Sequence, residues 1–122
     1  AGIMGYEMTK AGSQFYGGDG IITKGGLDKT GDVNMYAFAI GDLAFICAPY
    51  EMFCENGKYI KENSPFGATF VMTMANGSHN YIASAESFDY NCYEANTCRY
   101  VKGTAEALAE QYVQLLDQLA AN

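Results

Sequence analysis

At 122 residues, with 49% hydrophobic and 17% charged side chains, the chain has the size of one domain and enough apolar surface to bury a core. A net charge of -7, with only seven Lys and Arg scattered along the sequence, excludes a nucleic-acid partner, whose phosphates need clustered cations. The longest apolar runs, such as Leu43 to Pro49, fall far short of the ~18 to 20 residues of a transmembrane span; the opening AGIMGYEMTK lacks the basic-then-apolar order of a signal peptide, although a processed chain would begin the same way.

In chain order, residues 1–32 form a glycine-rich, irregular lead-in. Gly17, Gly18 and Gly20 surround Asp19, and Gly25 and Gly26 follow Lys24, a punctuation that places turns between short extended pieces such as Ile21 to Thr23. The FYGGDG stretch lacks the Lys-Ser/Thr of a phosphate-cradling loop and reads as an ordinary loop. From Asp32 to Pro49, Val33, Met35, Tyr36, Phe38 and Ile40, then Gly41-Asp42, then LAFICAP predict two apolar strands in an antiparallel hairpin. The second strand has almost no polar alternation, which predicts a central position covered on both faces. Pro49 ends it.

An amphipathic helix is expected from Glu51 to about Asn63, with Met52, Phe53, Tyr59 and Ile60 on its apolar side and Gly57 tolerated inside. It stops before Ser64-Pro65, because the residue preceding proline is pushed out of helical space. TFVMTMA, residues 69–75, predicts a further buried strand, so strand, helix and strand make a βαβ unit whose polar groups gather past the strand ends. After an irregular stretch rich in Tyr, Asn and Ser, Gly103-Thr104 opens a last helix with Ala105, Leu108, Tyr112, Leu115, Leu116 and Leu119 on one face. The expected fold is α/β: a mixed sheet with an antiparallel hairpin feeding a βαβ unit, plus a C-terminal amphipathic helix, in one domain spanning 1–122.

Two groups fall at the strand ends. Glu51 follows the first parallel strand, where a carboxylate suits either a helix cap, through the helix dipole, or a metal ligand through its oxygen. Asn76-Gly77-Ser78-His79-Asn80-Tyr81 follows the second. His79, the single histidine, cannot build a His-rich metal site alone and reads as a solvated loop residue. Cys47, Cys54, Cys92 and Cys98 lack the close pairs of a structural zinc ribbon. Cys47 reads as a core thiol, while Cys92 and Cys98 bracket a polar loop as either a disulfide or two free thiols. Ten Tyr and seven Phe without a Trp suit a core, an apolar cleft or a subunit interface.

The runs IGDLAFICAPYEMFCENGKYIK and TFVMTMANGSHNYIASAESFDYNCYE resemble the C-terminal part of the catalytic domain of neutral (non-lysosomal) ceramidases. There a strand reading I-G-D/G-L/V-A ends in Pro-x-Glu with Gly six residues past the glutamate, as Pro49, Glu51 and Gly57 do here. The next strand ends in Ala-Asn, with Tyr five residues on and then Tyr-Glu, as in Ala75-Asn76, Tyr81 and Tyr93-Glu94. The resemblance covers roughly Val33 to Tyr112. It implies a zinc-dependent hydrolase of N-acyl sphingosine, secreted or extracytoplasmic, with Glu51 and Tyr81 as zinc ligands and Tyr81 and Tyr93 as catalytic tyrosines. It also implies a partner: the family's two zinc histidines and its serine-bearing loop lie toward the N-terminus, and nothing in residues 1–32 resembles them. Ala83-Ser84 stands where the family has Thr-Thr, and His79 where it uses no histidine ligand. The chain alone is therefore expected to bind zinc weakly and to be inactive until joined to the N-terminal part of the domain and its lipid amide substrate. Two other readings stand beside this one: a non-catalytic binding or homo-oligomerisation module on the same scaffold, and a related hydrolase of another amide or ester.

Overall fold

The computed structural model describes residues 4–8, 21, 22, 28, 29, 33 and 35–121. Strands β1 (Met4–Met8), β4 (Met35–Ile40), β5 (Leu43–Ala48) and β7 (Ala68–Thr73) form a mixed sheet in the order β1-β4-β5-β7. The first three are joined antiparallel, and β5 pairs with β7 in parallel. β2 (Ile21–Ile22) and β3 (Asp28–Lys29) make a separate antiparallel pair, and β6 (Glu51–Met52) and β8 (Tyr81–Ile82) a parallel one. Helices α1 (Cys54–Asn63), α2 (Tyr93–Thr97) and α3 (Thr104–Ala121) are the α-helices among the described residues, with a 3-10 helix at Glu86–Tyr90. The expected α/β class and mixed sheet are found. The lead-in contributes β1 to the sheet as well as the β2–β3 pair, while the FYGGDG loop lies outside the described residues.

The hairpin forms where expected. Gly41 takes φ +60° at the first central turn position, a conformation that costs glycine little. Asp42 then ties the turn to the start of β7: its Oδ1 accepts the Gly67 N–H at 2.8 Å, and its carbonyl accepts from Ala68 at 3.3 Å.

Alternation in β4 and β5 sends Met35, Ala37, Ala39, Ala44, Ile46 and Ala48 into the core. Four of these six are alanines, and their small side chains let the helices approach closely. α3 supplies Ala105, Leu108, Tyr112, Leu115, Leu116 and Leu119, all buried, and Ile60 of α1 joins them. Burying each large apolar side chain stabilises by ~1.5–3 kcal/mol. The apolar face read from the helical period in α3 is the buried face.

The opposite sheet face departs from expectation. β5 is central, yet among the described residues its second face is covered only in part: Cys47 is buried, Phe45 is half-buried and Leu43 is 44% exposed. β7, expected to be buried, is the edge of the described sheet, with Phe70 49% exposed. Phe38, Phe45 and Phe70 stack across three strands with centroids 4.8 and 5.0 Å apart. An unbroken apolar run records that a strand is apolar on both faces, and this one presents an aromatic ladder on the face away from the helices.

α1 also begins later than the sequence indicates. Its N-cap is Phe53, with extended backbone, and Glu51 and Met52 lie in β6. The helix still ends at Asn63, with extended Ser64 before Pro65. Glu51 is thus not the helix cap: it lies two residues before the N-cap, which carries no side-chain cap bond, and its N–H donates to the Asn80 carbonyl at 2.9 Å as part of a strand pairing.

Candidate functional site

The site grows out of an interrupted parallel pairing. β5 and β7 run side by side through Ala48 and Thr73, separate, and pair again as β6 and β8. One chain bridges the gap with two residues, Pro49 and Tyr50, and the other with seven, Met74 to Asn80. The unequal detours bring Glu51 into register with Tyr81, which no strand alternation along the sequence would indicate.

Neighbouring strands lie close enough for registered side chains to interact. The Glu51 carboxylate, as a hydrogen-bond acceptor and then as a charge, raises the Tyr81 phenol above its ordinary value, with smaller contributions from burial, Glu94 and Tyr93. Tyr93, at the start of α2, sets its ring edge-on to Tyr81 with centroids 6.2 Å apart and planes at 85°. The three residues singled out in the sequence, Glu51, Tyr81 and Tyr93, therefore come together. Tyr93 is 68% exposed.

A raised phenol has a definite consequence at high pH. The neutral form of Tyr81 is the one favoured by folding, so its contribution to stability is complete below about pH 10, the ordinary phenol value. It is lost as the pH climbs through the higher folded value. Tyr90, raised by its hydrogen bond to Glu86, and Tyr112, raised well above the ordinary value by burial, act in the same direction. Urea midpoints measured against pH are expected to fall from about pH 9, the ordinary thiol value, because burial raises Cys47, and more steeply above about pH 10; Tyr81→Phe should make the upper part of the fall shallower, and an unchanged limb above about pH 10 in that variant would show that Tyr81 and Glu51 do not interact.

Beside Tyr81 opens a cleft of about 600 Å³, lined by Phe53, Tyr81, Ser84, Tyr90 and Glu94 among others. Its walls come from the start of α1, the 3-10 helix and α2, two of which occupy the stretch read from sequence as irregular. The Glu106 carboxylate of α3 holds this wall by accepting the Ala85 N–H at 2.9 Å.

His79 is half-buried and hydrogen-bonded, not a free loop residue. Its ring Nδ1 and the Tyr100 hydroxyl share a hydrogen bond of 2.7 Å, and burial pushes the imidazole below its ordinary value. All four cysteines are free thiols. Cys92 donates to the Ser87 carbonyl and Cys98 to the Tyr100 carbonyl, so the disulfide alternative is not the one adopted. Cys47 is a buried strand thiol, as expected, and burial raises it.

Glu51 and Tyr81 offer two adjacent side-chain oxygens. Among the described residues no group of three or more His, Cys, Asp or Glu side chains is placed to hold a metal. Within the same residues no helix is long and apolar enough to cross a membrane. The contacts missed from sequence are those of Glu94 and His79. Glu94 was visible only as the neighbour of Tyr93, and the His79 partner lies 21 residues away with no spacing signal.

Known structures share this fold. The chain superposes on a neutral ceramidase from Pseudomonas aeruginosa with a TM-score of 0.71 at 16% sequence identity, over 99% of this chain and 28% of that one. It superposes on a ceramidase complexed with C2 with a TM-score of 0.61 at 23% identity, over 72% of this chain and 15% of that one. The neutral-ceramidase-like fold expected from the residue blocks is thus the fold found, and the chain spans less than a third of either structure's length. No family model matches the sequence. No curated protein matches it either.

Proposed function

We propose that this chain is the C-terminal portion of the catalytic domain of a zinc-dependent, ceramidase-like amidohydrolase acting on an N-acyl lipid amide such as N-acyl sphingosine. The observation that carries the reading is the register of β6 on β8, which pairs the Glu51 carboxylate with a phenol, Tyr81, that lines an open cleft. The shared fold supports it. Glu51 and Tyr81 would be two of four zinc ligands, the others being histidines from an upstream portion of the domain. Zinc, when bound, would supply Lewis acidity at the amide carbonyl.

The chain's own residues do the rest. The Glu51 carboxylate would bring negative charge to the cation, and its register with Tyr81 sets the two oxygen groups side by side. Tyr93 is oriented by the Tyr81 ring and keeps its hydroxyl accessible for donation to the carbonyl oxygen as charge develops there. The cleft floor between the 3-10 helix and α2 receives the substrate.

The test compares the 122-residue chain with a protein in which it is joined to the histidine-bearing upstream portion. The joined protein should hold one zinc and hydrolyse N-acyl sphingosine, while the chain alone should bind zinc weakly and hydrolyse nothing. A tight one-to-one zinc complex of the chain alone that survives dialysis would overturn the two-ligand assignment. A joined protein that neither retains zinc nor cleaves lipid amides would overturn the reading. The half-exposed ladder of Phe38, Phe45 and Phe70, with Ile40 and Leu43 also exposed, favours a second reading as a self-associating module; a clean monomer by light scattering at high concentration would count against it.

A further inference from the structure

The segment that delivers Tyr81 to Glu51 is conformationally costly. Met74, Asn76 and Asn80 all have left-handed backbone, with φ of 55°, 61° and 58°, and Gly77 lies at φ 150°. Asparagine tolerates that region, but a methionine there is an outlier that persists only where the surroundings over-determine it. A Cβ on Gly77 would also come within 2.9 Å of the Pro49 Cβ, so the two detours are pressed together.

Four backbone hydrogen bonds hold the segment, and all of them join it to residues 48–51. Met74 N–H donates to the Tyr50 carbonyl at 3.3 Å, Ala75 to Ala48 at 3.1 Å and His79 to Pro49 at 2.7 Å, while Glu51 N–H donates to Asn80 at 2.9 Å. One of these ties reaches the central strand through Ala48, and Tyr50 is itself buried in the core, so the start of the segment is already fixed. Its far end is tied to a different part of the core by the His79 side chain. The ring Nδ1 meets the hydroxyl of Tyr100, which is 4% exposed and part of the core. The Tyr100 backbone is itself anchored, because its N–H donates to the Cys98 sulfur at 3.4 Å and its carbonyl accepts from the same thiol at 3.5 Å. Between His79 and Tyr81 lies only Asn80, whose carbonyl is the acceptor for Glu51.

We propose that the His79–Tyr100 hydrogen bond is a latch that positions Tyr81 opposite Glu51 by pinning the far end of the strained segment 74–80 to the core. His79 is then a positioning residue and not a metal ligand. Only its consequence for catalysis rests on the proposed function; the latch itself rests on geometry.

Amide hydrogen exchange on the 122-residue chain tests this. The readouts are the Glu51 amide, bonded to Asn80, and the Ile46 amide in the centre of the sheet as reference. In His79→Ala and Tyr100→Phe, the Glu51 amide should exchange about tenfold faster, the factor that one net hydrogen bond of this kind is worth, with Ile46 unchanged. The ring-to-ring nuclear Overhauser contact between Tyr81 and Tyr93 should weaken together with it. His79→Asn, whose amide group lies near the place of Nδ1, should restore both. If Glu51 exchange is unaltered, or rises only in step with Ile46, the latch is overturned, since general destabilisation moves both amides together. Should His79→Ala fail to fold, Tyr100→Phe, which removes one oxygen, decides alone. In the joined protein, a broken latch that leaves zinc affinity intact would count against the proposed function and leave the latch standing.

Discussion

Replacing Tyr112 with alanine should destabilise the chain by about 3–5 kcal/mol, the range for removing a large buried aromatic ring from a core. The side chain is fully buried on α3, among Leu108, Leu115 and Leu116, and its hydroxyl donates to the Cys47 carbonyl at 2.8 Å. It is the direct tie between the C-terminal helix and the central strand β5. Tyr112→Phe keeps the ring and loses only the hydrogen bond, so its cost should be about 0.5–1.5 kcal/mol. Total stabilities of small domains are ~5–15 kcal/mol, which makes the alanine variant marginal or unfolded at room temperature and the phenylalanine variant folded. Urea unfolding of the three proteins measures both steps. Equal midpoints for the two variants would show that the cavity, and hence the packing of α3 on β5, contributes nothing. The phenylalanine variant should also fall less steeply at high pH, because a phenol raised well above its ordinary value stabilises the fold only while it is protonated.

Glu51→Gln, placed in the protein that carries the upstream histidines, should lower zinc affinity by more than the ~10–100-fold typical of an outer-shell partner. The substitution preserves shape and removes the charge. Tyr93→Phe should leave zinc in place and lower kcat by about 10²–10³, the cost of losing one hydrogen-bond donor to a developing oxyanion. Metal analysis together with steady-state kinetics separates the two roles: one variant loses metal and activity, the other activity alone. Equal zinc content in wild type and Glu51→Gln would remove Glu51 from the ligand set. The same substitution has a signature in the 122-residue chain without any metal. Since Glu51, as a hydrogen-bond acceptor and then as a charge, supplies the two largest causes of the raised Tyr81 phenol, Glu51→Gln should bring Tyr81 back toward its ordinary value, read from phenolate absorbance against pH.

The elements legible in the sequence were those whose signal is local and periodic. The face of α3 follows from apolar residues recurring at helical spacing, and the hairpin from two apolar runs around Gly41-Asp42. Glu51 and Tyr81 were legible as polar groups at the ends of parallel strands, and Tyr93 through the resemblance of residue blocks. Less was legible where two signals compete. Glu51-Met52-Phe53 adjoins a helical pattern and was read into it, yet Glu51 and Met52 pair with β8, because the segment after β7 offers the Asn80 carbonyl to the Glu51 N–H. The short helices flanking the cleft gave no periodic signal, since five residues are too few to show a period.

By itself, then, the sequence determined the α/β class, the hairpin, the parallel unit around α1 and the buried face of the C-terminal helix, because local propensity and apolar spacing are properties of neighbouring residues. Tertiary structure alone decided which face of the sheet is covered, that His79 is tied to Tyr100, and that a two-residue and a seven-residue detour bring Glu51 opposite Tyr81. Those outcomes depend on which distant groups satisfy backbone donors and buried polar atoms, and no spacing along the chain records a partner that lies 21 or 30 residues away.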